Sequence, residues 1–165
     1  MRALCLLLVA LGAGCSEPPP PRRASLPPAT EEVLRRVVAS EAPALFTGGS
    51  EAARLAWMSA LAKARDPGRP FRVVRTDADA ARVEGGEVAL IPTVERLSLP
   101  AQRRLRDRMA EREIRALGGS DVRADAPELD PAFHHRLSVL VLHVPGLDAV
   151  DGPAKELARW ASADR

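Results

Sequence analysis

The stretch that most narrows the choice of fold is "RLSVLVLHV", residues 136–144. In an extended chain Leu137, Val139 and Val141 face one way, and Leu140, Leu142 and Val144 face the other. A strand apolar on both faces needs cover on both sides, as in a sheet sandwiched between helices. Two shorter runs have the same character: "FRVVRT" (71–76) and the strand at 87–92 within "EGGEVALIP". Both are β-branched or apolar and bounded by Gly, Pro or Asp. The three strands are expected to share one sheet with 136–144 as its central member. A charge at Val141 would then be buried without a partner and would unfold the domain.

Helical signals fill the gaps between these strands. In "TEEVLRRVVASEA" Thr30 is the expected cap, Glu31 and Glu32 suit the positive end, and Val33, Leu34, Val37 and Val38 form an apolar face. Ser50 is the expected cap of "EAARLAWMSALAKAR", which buries Leu55, Met58, Leu61 and Ala62 and ends at "DPGRP". "DADAARV" fits a helical turn or an extended link. Ser98 opens a long helix, "LPAQRRLRDRMAEREIRAL", with Leu105, Met109, Ile114 and Leu117 on its apolar side and Gly118–Gly119 as its stop. "DVRADAPELDPAF" reads as a loop, and "GPAKELARWASA" as a closing helix. Helices alternating with strands place the chain in the α/β (or α+β) class, with a single small sheet and helices packed on it.

The first residues belong to a different kind of segment. Arg2 precedes an apolar run from Ala3 to Leu11, and Gly12, Ala13 and Gly14 follow. That is the layout of a secretory signal peptide, residues 1–14. The run is shorter than the roughly 20 residues a membrane-crossing helix needs. "LGAGC" resembles the lipobox of bacterial lipoprotein precursors. That family prefers Leu three residues before the cysteine; here Gly12 stands there and Leu11 one place further out. The resemblance implies that Cys15 carries a diacylglyceryl thioether, becomes the new amino terminus and is acylated, for example with palmitate. Ser16 after it, in place of Asp, implies the outer membrane, with the domain facing the periplasm. Cys5 would leave with the signal, so Cys15 is the only cysteine retained. A lipid on its sulfur accounts for an odd exported thiol. Pro18–Pro21 then favour an extended spacer through residue 29, leaving residues 30–165 as one α/β domain. The cadence from Ser50 to Pro92 resembles the α/β modules of envelope lipoproteins. Among these are the lipopolysaccharide-assembly lipoprotein and the amino-terminal domain of the Tol-Pal system's β-propeller protein.

Composition excludes more than it assigns. A formal charge of +2 gives no electrostatic case for nucleic acid. Aromatic residues are limited to Phe46, Phe71, Phe133, Trp57 and Trp160, too few for stacking on bases or sugars. His134, His135 and His143 do not form a metal set. On one strand His135 and His143 would lie about 26 Å apart. No HExxH, CxxC or Asp-rich calcium loop is present, and no cofactor is expected. "TGGS" at 47–50 precedes a helix but lacks both the GxSxG and the GxxxxGK[ST] patterns, so Ser50 reads as a cap. Asp77, Asp79, Glu84 and Glu87 offer no spacing that singles out an acid–base pair. Arg103, Arg104, Arg106, Arg108, Arg112 and Arg115 are interleaved with Asp107, Glu111 and Glu113, as on a solvated helix with pairs such as Glu111–Arg115. A phosphate- or lipopolysaccharide-binding face is the alternative for that helix.

The expected function is therefore a lipid-anchored envelope protein, attached to the membrane through Cys15, with a non-enzymatic binding or assembly role and an envelope protein as its partner. Two alternatives stand beside it. One is a periplasmic enzyme using the 122–135 segment, with Asp125, Glu128, Asp130, His134 and His135 as its groups. The other is a toxin or immunity lipoprotein.

Overall fold

The computed structural model of the protein describes residues 28–144. Cys15, the signal run, the proline spacer and the closing helix expected after residue 151 lie outside the described residues. The order of elements is α1 (Pro28–Ala39), β1 (Ala44–Thr47), α2 (Glu51–Arg65), β2 (Phe71–Val73), α3 (Asp77–Arg82), β3 (Val88–Ile91), a 3-10 turn (Val94–Arg96), α4 (Leu99–Ala110), β4 (Arg115–Ser120), α5 (Pro131–Leu137) and β5 (Leu140–His143). The strands form one five-stranded sheet in the order β2-β3-β4-β1-β5. Every neighbouring pair is parallel. The fold is α/β with a single sheet. Its order is neither the 3-2-1-4-5-6 nor the 2-1-3-4-5 arrangement of the common doubly wound sheets.

Alternation along the strands sorts the core into two layers. On the first face Ala44, Phe46, Val88, Leu90, Leu117 and Leu142 meet Val37 of α1 and Trp57, Met58 and Leu61 of α2. On the second face Leu45, Ala89, Ile91 and Ala116 meet Ala80 of α3, Leu105 and Met109 of α4, and Phe133 and Leu137 of α5. Burying a side chain such as Phe46 or Leu90 contributes about 1.5–3 kcal/mol. Both layers are therefore needed.

Several helix ends behave as their sequences dictate. Ser50 caps α2 by accepting from the Ala53 N–H at 3.1 Å, and Ser98 caps α4 through Ala101. Thr76 and Asp79 form a reciprocal capping box, so "DADAARV" resolves as a helix. α1 begins at Pro28, ahead of Thr30, and the side chains of Thr30, Val33 and Leu34 lie outside the described ones.

The expected central strand is corrected. Residues 136–144 do not form one strand: Pro131–Leu137 is helix α5, and β5 covers only Leu140–His143. Among the described residues β5 is an edge strand bonded only to β1. Val139 and Val141 are 59% and 54% exposed, so a charge at Val141 faces water. The long helix is corrected as well. α4 stops at Ala110, and "RALGGS" (115–120) is the middle strand of the sheet. Arg115 pairs with Glu41 and not with Glu111. Glycines occupy this strand because both neighbours press on it. A Cβ on Gly118 would meet Leu137 Cδ1 at 2.7 Å, and one on Gly119 would meet the Pro92 carbonyl and Arg54.

Candidate functional site

Parallel α/β sheets place ligands beyond the carboxyl ends of their strands, where neighbouring connections leave in opposite directions. Here that point lies between β1 and β4. β1 runs through α2 on the first face to β2 at one edge, and β4 runs through α5 on the second face to β5 at the other. The residues converging on the crevice are Gly48 and Gly49 after β1, Pro92 and Thr93 after β3, and Asp121 after β4.

Arg54 occupies it. This residue of the first turns of α2 is 1% exposed. Its Nε donates to the Pro92 carbonyl at 2.8 Å. Nη1 donates to the carbonyls of Gly48 at 3.0 Å and Gly49 at 3.2 Å. Nη2 donates to Asp121 Oδ2 at 2.9 Å, while Nη1 takes the other carboxylate oxygen. Thr93 Oγ1 accepts from Nη2 at 3.4 Å. The fork geometry of guanidinium allows one side chain to tie the ends of three strands together. Gly119 lets the stem pass, since its absent Cβ would fall 2.9 Å from Arg54 Cδ and Nε. Gly48 and Gly49 hold φ of 70° and 59°, a left-handed turn that aims both carbonyls at the guanidinium.

Around this knot lies a ring of charged side chains. Glu51 accepts from Arg75 at 3.0 Å and from Arg96 at 2.6 Å. The Arg75 hydrogen bond, with the Arg96 charge behind it, holds the Glu51 carboxyl below the usual range against a smaller opposing effect of burial. Glu95 Oε1 accepts the Asp121 N–H at 3.0 Å, and its Oε2 is buried without a hydrogen-bond partner.

The residues singled out by sequence are spread elsewhere. His134 and His135 lie on α5, and His143 on β5. His143 Nδ1 is 3.2 Å from Thr47 Oγ1, and His134 Nδ1 is 3.3 Å from Ser138 Oγ. Burial, then the neighbouring His135, push the His134 imidazole below its ordinary value. Asp130 caps α5 through the Phe133 N–H at 2.8 Å. It also pairs with Arg103 at 3.1 Å and Arg106 at 3.2 Å. Burial works against its charge, but the Phe133 N–H and the two guanidiniums outweigh it and hold its carboxyl low. Asp77 accepts the Ser98 N–H, and Asp79 belongs to the capping box. Glu87 pairs with Arg72 at 2.9 Å. Among the described residues no group of three His, Cys, Asp or Glu side chains is placed to hold a metal ion. No described helix is long and apolar enough to cross a membrane.

Sequence reasoning missed Arg54 and Asp121. A signal for Arg54 was present: positions 54, 57, 58 and 61 share one helical stripe, so an arginine stands in line with Trp57, Met58 and Leu61.

No protein-family model matches this sequence, and no curated protein matches it. Among solved structures the chain is similar to NtrX from Brucella abortus, with a TM-score of 0.55 and 14% identity over 71% of this chain and 35% of that one. It is similar to the same protein in complex with ATP, with a TM-score of 0.54 and 14% identity over 70% of this chain and 36% of that one. The chain thus spans about a third of the length of these structures. At that identity the likeness shows a shared α/β fold.

Proposed function

We propose that the chain is a lipid-anchored cell-envelope protein whose α/β domain binds or helps assemble another envelope component without catalysing a reaction. The observation that carries the non-enzymatic part is Arg54. The crevice where a parallel sheet would receive a substrate holds a buried guanidinium with its donors engaged. The 122–135 segment points the same way, because Asp130 is committed to a helix cap and two ion pairs. The NtrX structure with ATP raises nucleotide binding as a question for this chain. A phosphate cradle of the strand–GxxxxGK[ST]–helix kind presents backbone N–H groups and a lysine. The turn after β1 has only Gly48 and Gly49 before Ser50, has no lysine, and directs its carbonyls at Arg54.

The anchoring part rests on the apolar run that ends in small residues at Cys15, and the outer-membrane address on Ser16. Several acyl chains on one terminus give stable attachment where a single chain is marginal. Metabolic labelling with a clickable fatty acid tests it. The wild type should carry label and Cys15→Ser should lose it. Equal label in both would leave plain secretion as the reading.

A further inference from the structure

The opposite end of the sheet holds a second charged feature that the proposed function does not use. A cavity of about 560 Å³ opens below the amino ends of the strands. Among the described residues Arg69, Arg112, Arg115 and Arg136 line it, with Glu41 as the one carboxylate and Met109 and Ile114 on its apolar side. A small adjoining pocket adds Arg65 and Asp66.

This crowding is unusual within the molecule. Most arginines in the described residues have a carboxylate or carbonyl partner. Those whose side chains make neither a hydrogen bond nor an ion pair among the described residues are Arg82, Arg104, Arg112 and Arg136, and two of the four line this single cavity. Arg115 pairs with Glu41 at 2.6 Å, but the Glu41 side chain is 76% exposed, so the pair is open to water and to competing anions. Arg112 is held at φ 59°, the only left-handed non-glycine position among the described residues. The chain accepts an unfavourable conformation at the residue that brings this guanidinium to the rim. Arg65, turned inward to the carbonyls of Val37 and Ala42, is pulled down to about 10 by burial and then by the Arg115 charge. Positive charge is therefore in excess here, and an anion would relieve it.

We propose that this cavity is a binding site for a phosphate-bearing ligand. Guanidinium forks grip phosphate oxygens in pairs. A phosphate offers more oxygens and more charge than a carboxylate, so several forks can share it. The same chemistry is presented by an anionic lipid headgroup and by a soluble phosphate ester. The site does not depend on the anchor at Cys15, so its test uses the full chain with Cys15→Ser, in which no lipid competes.

Inorganic pyrophosphate is titrated calorimetrically into that protein. In parallel, sedimentation is measured with vesicles of phosphatidylglycerol in phosphatidylcholine and with vesicles of phosphatidylcholine alone. The double variant Arg112→Gln, Arg136→Gln removes the two unpartnered cavity charges. Arg82→Gln, Arg104→Gln removes equal charge elsewhere. Circular dichroism establishes that both fold. The cavity variant should weaken binding by at least about tenfold, and the matched variant by less than about twofold. Binding of pyrophosphate without vesicle preference assigns a soluble ester, and preference for the anionic vesicles alone assigns a headgroup. Either result supports the site. Absence of both responses in the parent protein, or equal weakening in the two double variants, overturns it.

Discussion

The two ends of the sheet use the same residue type in opposite ways. At the carboxyl end Arg54 is desolvated and fully engaged, with Asp121 as counter-charge and three backbone carbonyls as further acceptors. At the amino end Arg69, Arg112, Arg115 and Arg136 line an open cavity in which Arg115 pairs with Glu41 and Arg69 donates to the Gly86 carbonyl, while the Arg112 and Arg136 side chains have no partner among the described residues. A buried charge survives only when it is paired and hydrogen-bonded, so the first arrangement is structural. A solvated excess of like charge needs no internal partner, and it remains available to a ligand. The contrast separates an arginine that holds the fold from arginines that are held by it.

Truncation should expose this difference most strongly. Arg54→Ala strands the Pro92, Gly48 and Gly49 carbonyls and the Asp121 carboxylate, and opens a void between β1 and β4. A loss of about 3–5 kcal/mol is expected. Arg54→Lys should recover little, since one ammonium cannot reach acceptors in so many directions. Arg115→Ala, from an exposed pair, should cost no more than about 1 kcal/mol. Urea melts of the three variants decide the matter. A comparable loss in Arg54→Ala and Arg115→Ala would erase the distinction.

Gly119→Ala attacks the same knot from below. The added methyl would meet the carbonyl of Pro92, which is backbone, and the stem of Arg54. Overpacking of this kind costs about 1–3 kcal/mol. Gly118→Ala meets only side-chain atoms, the methyl ends of Leu137 and Val94, and should cost less. Thermal melts should rank Gly119→Ala below Gly118→Ala; the reverse order would mean that Arg54 is free to move.

The glycine strand also marks where the sequence could not be read. α2, β2, β3 and the start of α4 follow from local signals: a serine cap, a β-branched run, a glycine pair before an apolar run. β4 does not, because "RALGGS" has its small residues for a tertiary reason, the approach of Arg54 and Leu137. β5 misleads in the other direction. "LSVLVLHV" is largely apolar, yet Leu140, Leu142 and Val144 face the first layer and Leu137, on α5, the second, while Val139 and Val141 are exposed. Composition states that a segment tolerates burial; it does not state which segments receive it. The α/β class needed only alternation of elements, and so it was legible. The Arg54 knot required knowing that Asp121, 67 residues away, lies beside α2.

Acid should distinguish the two ends by a smaller margin. Of the carboxyls held below their usual range, Glu51, Asp77, Asp79 and Asp130 belong to the carboxyl end of the sheet and Glu87 to the amino end. A group with a depressed folded pKa contributes stability that is present above its unfolded value, near 4, and lost as pH falls through the folded value. The arginines of the cavity do not titrate in that window. Hydrogen exchange at pH 3 should therefore open the helix starts at α3 and α5 ahead of the amino end. Asp130→Asn should lose about 1 kcal/mol at neutral pH, through the weakened pairs with Arg103 and Arg106. Its stability should then fall less steeply below pH 4 than that of the parent. An unchanged acid slope would remove Asp130 from the account.

The smallest effect has the opposite sign. Arg112 holds a left-handed backbone that costs a non-glycine residue about 1–2 kcal/mol. Arg112→Gly relieves that cost and removes one of the cavity's charges, while the added freedom of the unfolded chain returns about 0.5–1 kcal/mol. The net expectation is a gain of about 0–1.5 kcal/mol, largest at low ionic strength, where the remaining cavity arginines repel most. Added salt should narrow the difference between Arg112→Gly and the parent, and it should leave most of the deficit of Arg54→Ala in place, because the buried guanidinium is also held by three backbone carbonyls. Loss of stability in Arg112→Gly at low salt would mean that Arg112 is bound into the fold as Arg54 is. The amino end would then hold its charges for structure, and the reason for reading the cavity as a ligand site would be gone.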